Sequence, residues 1–248
     1  MYVSLKDQVA LVTGSAHRVG RAIALELARN GVHIIVHYNR SNEETVKATL
    51  RDIKSLGVEA YPIQADISTP AGVEATFAAV ETHFGRLNIL VNSASNFQKR
   101  TLMEVTLDEW NETMAINVTA PFLCTQAAVP LMRRNTPSGG CIVNICDRGA
   151  TDVWVDYAHH GVSKAGLWAL TRVSAASLGP DIRANAIIPG AVLKPADYDE
   201  ESWRAGTKDI PMQRPGTAED VGRAVVYLAS EDWLSGTLIH VDGGESIV

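Results

Sequence analysis

Short apolar runs alternate along the chain with longer stretches in which apolar residues return every three or four positions. The runs Val9–Thr13, His33–His37, Glu59–Gln64, Ile89–Asn92, Cys141–Ile145, Arg183–Ile188 and Leu238–Val241 are mostly continuous rather than alternating. That is the pattern of strands buried on both faces of a parallel sheet. Of the intervening stretches, the first puts Val19, Ile23 and Leu27 on one helical face and stops at Asn30-Gly31, a usual C-terminal signal. Thr106 before Asp108-Glu109, and Thr217 before Glu219, set a capping hydroxyl ahead of an acidic first turn. No repeat, low-complexity tract or linker divides the chain. The pattern predicts one α/β domain over residues 1–248, a doubly wound (Rossmann) parallel sheet of about seven strands with helices on both faces. Ligands are expected at the carboxyl ends of the strands.

Composition narrows the class without changing it. Hydrophobic residues make up 46% of the 248 residues and charged ones 20%, as in globular proteins. A net charge of −6 and the lack of a Lys/Arg run argue against a nucleic-acid partner. Cys124, Cys141 and Cys146 are odd in number and form no CxxC pair, which suits a reducing compartment. The histidines lack metal-ligand spacing with these cysteines, so no metal is expected. No apolar stretch is expected to span a membrane, and the first residues lack a signal-peptide core. A cytoplasmic protein is the expectation.

The turn after the first strand carries the first chemistry. Ala10 to Gly20 reads as a strand, a break at Gly14 and a helix start. Free first-turn N–H groups and the helix dipole there make an anion site for a pyrophosphate. The end of the second strand separates the two nicotinamide cofactors. An NAD site offers the ribose a carboxylate about 20 residues beyond the glycine turn. Here His37-Tyr38-Asn39-Arg40-Ser41 has no acid before Glu43. Arg40 can pair with a 2′-phosphate, Ser41 and Asn39 can hydrogen-bond it, and Arg18 can cover it or the adenine. NADP(H) is the expected cofactor. Asp66, ending the third strand beside Ile67, either bonds the adenine amino group or caps the next helix.

These residues carry a resemblance to the short-chain dehydrogenase/reductase family over nearly the whole chain. The family's Thr-Gly-x-x-x-Gly-x-Gly appears as Thr13-Gly14-Ser15-Ala16-His17-Arg18-Val19-Gly20, with Arg18 in place of the middle glycine. Asn92-Ser93-Ala94-Ser95, Asn117 within Ile116-Asn117-Val118, Pro189-Gly190 and Val241-Asp242-Gly243-Gly244 follow in the family's order. The resemblance implies a cofactor site of Gly14, Ser15, His17, Arg18, Val19, Gly20, Tyr38, Asn39, Arg40, Ser41, Asp66, Ile67, Asn92, Ser93, Ala94, Lys164, Pro189, Gly190 and Val192. Within the family the motifs are most similar to pteridine reductases: the arginine in the glycine turn, the His37–Ser41 string and Asn-x-Ala-Ser-x-Phe at Asn92 to Phe97. There the serine and phenylalanine, here Ser95 and Phe97, line the substrate site, and the ring stacks on the pterin.

The family's proton donor is a tyrosine four residues before a lysine, so that both share a helix face. The lysine here is Lys164, and four before it stands His160. Tyr157 lies seven before, at the expected helix entrance. Counting thirteen back from His160, where the family carries a serine, gives Asp147, and pteridine reductases have an aspartate there. The resemblance therefore implies Asn117, Asp147, His160 and Lys164 as catalytic residues and Ser95, Phe97, Asp147, Tyr157 and His160 as substrate-binding ones. Three readings of His160 stand: proton donor oriented by Asp147, bystander to a relay through Asp147 and Asn117, or mark of a non-catalytic dinucleotide-binding protein with a sensor or scaffold role. The enzyme reading expects an NADPH-dependent reductase of a pterin-like or small carbonyl substrate, a 3-oxoacyl thioester among them. Trp110, Trp154, Trp168 and Trp233 read as core or interface. Residues 194–214, with Pro195, Asp197, Tyr198 and Trp203, read as a substrate lid. Apolar positions all around Lys164 predict a homodimer or homotetramer.

Overall fold

The computed structural model describes residues 3–194 and 198–248. Its seven strands are β1 (Val9–Val12), β2 (His33–Tyr38), β3 (Ala60–Gln64), β4 (Ile89–Asn92), β5 (Gly140–Ile145), β6 (Ile182–Pro189) and β7 (Leu238–Val241). They form one parallel sheet in the order β3-β2-β1-β4-β5-β6-β7. Successive residues of β1 feed opposite sides, as the pleat requires. Ala10 and Val12 join one core with Ile23, Leu27 and Val225, while Val9 and Leu11 join another with Phe77, Cys124 and Leu131. Because both of their faces are buried, the inner strands β1, β2, β4, β5 and β6 read as continuous apolar runs.

The helices are α1 (Arg18–Arg29), α2 (Glu43–Lys54), α3 (Pro70–Phe84), α4 (Leu107–Met114), α5 (Ala120–Arg133), α6 (Ala158–Leu178), α7 (Glu200–Ala205) and α8 (Ala218–Ser230). Capping boxes start α4 at Thr106 with Glu109 and α8 at Thr217 with Asp220. The first helix ends at Asn30, followed by Gly31 at φ +81°, a left-handed position suited to glycine. Between α4 and α5 a π-helical turn, Ala115–Thr119, carries Asn117; such wide turns recur at functional sites.

The sequence expectation of no membrane-length apolar stretch needs correction. The continuous helical run Leu107–Arg133 is long and apolar enough by length and composition. It is a core helix, however: Ala120, Cys124, Ala128, Leu131 and Met132 are buried against the sheet.

Strand order reverses between β1 and β4, and the loops leaving them diverge to opposite faces and open a crevice. There the Thr13 hydroxyl accepts the N–H groups of Ser93 and Ala94 at 2.9 and 3.0 Å. One side chain thus pins the two strand ends together.

Candidate active site

A cleft of about 1480 Å³ runs along the carboxyl ends of the strands. One wall is the turn from Gly14 to Gly20. Gly14 has φ +66°, and a Cβ on Gly20 would stand 2.4 Å from the Gly14 carbonyl oxygen. Only glycine lets helix and loop approach this closely. His17, the N-cap of α1, makes no side-chain cap bond, so the first-turn amides keep their hydrogens for an anion. The residue after it explains the family's glycine. Arg18 sits at φ +54°, a left-handed conformation that costs a side-chain-bearing residue roughly 1–2 kcal/mol.

Buried His37 stiffens this wall. Its Nδ1 accepts the Gly14 N–H at 3.2 Å, and its Nε2 lies 3.1 Å from the Ala65 carbonyl, to which it donates. One nitrogen accepts and the other donates, so the ring is neutral. Desolvation lowers its pKa to about 4. Sequence reasoning placed His37 only within a string of residues. Its role as the brace between the glycine turn and the Ala65-Asp66 turn came from the structure.

The adenosine end collects Tyr38, Asn39, Arg40, Ser41, Asp66 and Ile67 along the cleft. The Ser41 hydroxyl lies 3.2 Å from His17 Nδ1. Asp66 does not cap α3, which Thr69 does. Its carboxylate takes the Ser68 hydroxyl at 2.7 Å, and this bond chiefly, with Arg40's charge adding, holds it below its ordinary pKa. Val19, Ser93, Ala94, Lys164, Pro189, Gly190 and Val192 also border the cleft.

Two expected cofactor residues do not. Ser15 is wholly buried and spends its hydroxyl on the Val12 carbonyl at 2.7 Å. Asn92 is buried and donates to Asn144 Oδ1 at 2.8 Å. Both support the strand ends from beneath.

At the other end, α6 brings His160 and Lys164 to the cleft, and the loop after β5 brings Asp147. His160 Nε2 is hydrogen-bonded to Asp147 Oδ2. Its Nδ1 lies 3.0 Å from the Asn96 carbonyl. The Asn117 amide nitrogen also lies 3.4 Å from Nδ1, and the His160 side chain is 2% exposed against 21% for Asp147. Both His160 and Asp147 border the cleft, Asp147 the more exposed of the two. Burial works against ionisation of Asp147, but the His160 hydrogen bond and the charges of Lys164 and His160 outweigh it and hold its pKa below the ordinary value. Lys164, itself buried, donates from Nζ to the Ile145 carbonyl at 2.9 Å.

Asn117 does not border the cleft and acts through others. Its amide donates to Ser163 Oγ at 2.9 Å, and its oxygen accepts the Ser95 hydroxyl and the Asn96 N–H at 3.0 and 3.1 Å. It thus ties the Ser95–Phe97 loop to the helix of His160. Tyr157 is the N-cap residue of α6, as expected. Its ring stacks on Phe97 at 4.5 Å, with Trp154 4.3 Å from Tyr157. The sequence reading of Trp154 as core or interface is thereby corrected: it completes an aromatic wall, with Arg148 over its ring at 5.4 Å. Indole positions without periodicity gave no such signal. Of the expected lid, Tyr198 and Trp203 border the cleft, and Pro195 and Asp197 lie outside the described residues. Among the described residues no cluster of potential metal ligands forms.

This fold and cleft have many relatives. A family model described as enoyl-(acyl carrier protein) reductase matches residues 14–246. A 3β-hydroxysteroid dehydrogenase 1 of Eggerthella lenta is 34% identical, over 100% of this chain and 97% of that protein. A 3-oxoacyl-(acyl-carrier-protein) reductase of Staphylococcus aureus is 33% identical, covering 95% and 96%. Among solved structures, FolM alternative dihydrofolate reductase 1 from Brucella canis, complexed with NADP, superposes with a TM-score of 0.91 at 28% identity, over 99% of this chain and 96% of that one. The chain belongs to the short-chain dehydrogenase/reductase family and is an oxidoreductase by that membership. The family binds a nicotinamide dinucleotide, and the open amides of α1 beside a glycine cradle fit such a group.

Proposed function

We propose that the protein is an NADPH-dependent reductase in which His160, at the family's tyrosine position, and Asp147, at its serine position, form a hydrogen-bonded pair beside the substrate. The observation that carries this reading is the meeting, in one cleft, of the cofactor wall, buried Lys164 and the Asp147–His160 pair. Bound NADPH supplies a hydride. Gly14 to Gly20 hold its pyrophosphate, Arg18, Arg40 and Ser41 take the 2′-phosphate, and Lys164 holds the ribose beside the nicotinamide. Asp147 orients the reacting atom of the substrate, and His160 fixes the carboxylate in place. The aromatic wall of Phe97, Tyr157 and Trp154 favours a planar ring, pterin-like, over an open-chain ketone or thioester. The NADP-bound dihydrofolate reductase neighbour supports the same reading. Tyr198 and Trp203, which border the cleft, would cover that ring.

Cofactor choice is tested by calorimetric titration with NADPH and NADH. NADPH is expected to bind more tightly, and Arg40→Ala to remove about one to two decades of that preference, the weight of a charge-assisted contact at roughly 1.5–3 kcal/mol. Equal affinities in the native protein would contradict NADP(H).

The assembly we propose is a homodimer or homotetramer. Val162 and Val173 on α6 and Phe122 on α5 are 49%, 61% and 42% exposed, an apolar face without a cover in the monomer. Light scattering at micromolar concentration is expected to give a multiple of the monomer mass. A cytoplasmic location accords with three free, buried cysteines.

A further inference from the structure

The Asp147 carboxylate turns lone pairs toward the cleft. His160 Nε2 meets the Asp147 carboxylate, and its Nδ1 lies 3.0 Å from the Asn96 carbonyl and 3.4 Å from the Asn117 amide nitrogen. Asp147 Oδ1 accepts the Gly149 N–H at 2.9 Å, which leaves the carboxylate's remaining lone pairs for a ligand. The Ser95 hydroxyl serves Asn96 and Asn117, and one hydrogen of the Lys164 ammonium serves Ile145. A carbonyl oxygen gains nothing from the Asp147 carboxylate, since both are acceptors. A protonated C=N group is a donor and a cation, and it complements the carboxylate.

Two further features point the same way. Away from the cofactor wall the cleft is lined by Glu112, Asp152 and Glu245 besides Asp147. Arg148 is paired with Glu245 at 3.6 Å, while Glu112 and Asp152 form no ion pair among the described residues. The Phe97–Tyr157–Trp154 wall offers aromatic faces to a flat cation, and Arg148 already occupies one such position over Trp154.

We propose that the site takes a flat cyclic imine in its protonated form, or the corresponding permanent iminium ion, and recognises it through the Asp147 carboxylate. This rests on the reductase reading above. The hydride of the reduced nicotinamide adds to the imine carbon, and the C=N π pair withdraws onto nitrogen and cancels its charge. The N–H proton stays where it was. Amine and oxidised nicotinamide leave, and no proton is drawn from the protein, so the missing tyrosine acid is not needed.

Binding and turnover test this separately. Into the NADPH complex one titrates 2-methyl-1,2,3,4-tetrahydroisoquinoline, an ammonium ion at neutral pH that NADPH cannot reduce, and its neutral isostere isochroman. The ammonium is expected to bind about tenfold or more tightly, and Asp147→Asn to abolish the preference. In turnover, the 2-methyl-3,4-dihydroisoquinolinium ion is expected to be reduced at a rate unchanged from neutral to alkaline pH. The neutral ketone 1-tetralone is expected to react at least about 100-fold more slowly, since it offers the Asp147 carboxylate neither a positive charge nor a hydrogen. Equal binding of the two isosteres, or tetralone reduced as fast as the iminium ion, overturns the proposal while leaving the reductase reading intact. Failure of NADPH itself to bind overturns both. Should Asp147→Asn not fold, the two-ligand comparison in the native protein still decides.

Discussion

Asp147→Asn lowers kcat/KM about 10²–10³-fold while NADPH binds as before. The magnitude is that of a preorganised group aimed at charge that changes in the transition state. Asparagine keeps the shape and the Gly149 contact but removes the charge that faces the cleft. His160 is hydrogen-bonded to this carboxylate, so its variants report through Asp147. In the native protein the His160 hydrogen bond is the foremost of the influences that keep Asp147 ionised. Activity that needs the carboxylate falls only as pH drops through that lowered pKa. In His160→Gln the acid limb of the pH–rate profile is expected to move up toward the ordinary carboxylate range. A profile unmoved by His160→Gln, with activity otherwise reduced, would reduce His160 to a packing residue.

The second large effect is on stability and comes from His37. The folded state refuses a proton on this ring until pH about 4, against the ordinary 6.5 of a histidine in the unfolded chain. Between those values the unfolded state binds more protons, so stability falls as pH falls. The full contribution is present above pH 6.5 and is lost by the time pH passes about 4. A difference of two to three pH units corresponds to about 3 kcal/mol. His37→Gln keeps an acceptor for Gly14 and a donor for Ala65 without titrating. Urea unfolding across this range is expected to show the native protein losing about 3 kcal/mol more than His37→Gln. Parallel curves would contradict the neutral brace.

Strand positions were legible because full burial on both faces writes a continuous apolar run, and β1 through β7 lie within a residue or two of the runs from which they were read. Helix starts were legible where a cap carries its own chemistry, as at Thr106 and Thr217. The cofactor wall was legible as a glycine turn followed by Arg40 and Ser41, since backbone approach and phosphate charge each demand a residue type. Ser15 and Asn92 belong to the same motifs yet face inward, a matter of side-chain direction that spacing leaves open. The pairing of His160 with Asp147 and Asn96 depends on contacts 13 and 64 residues apart. The aromatic wall joins Phe97 to Trp154 across two loops that an Arg100–Asp156 backbone bond draws together. Neither leaves a local pattern.

The most direct test of the central claim is isotope transfer. NADPH deuterated at the transferring position of C4 is mixed with the protein and either a dihydropterin or a cyclic imine, and the product is examined by mass spectrometry. A reductase of the kind argued above delivers one deuterium to the former C=N carbon, and Asp147→Asn slows its appearance. Tight NADPH binding with no deuterium in any product would contradict the enzyme and leave a dinucleotide-binding protein in its place.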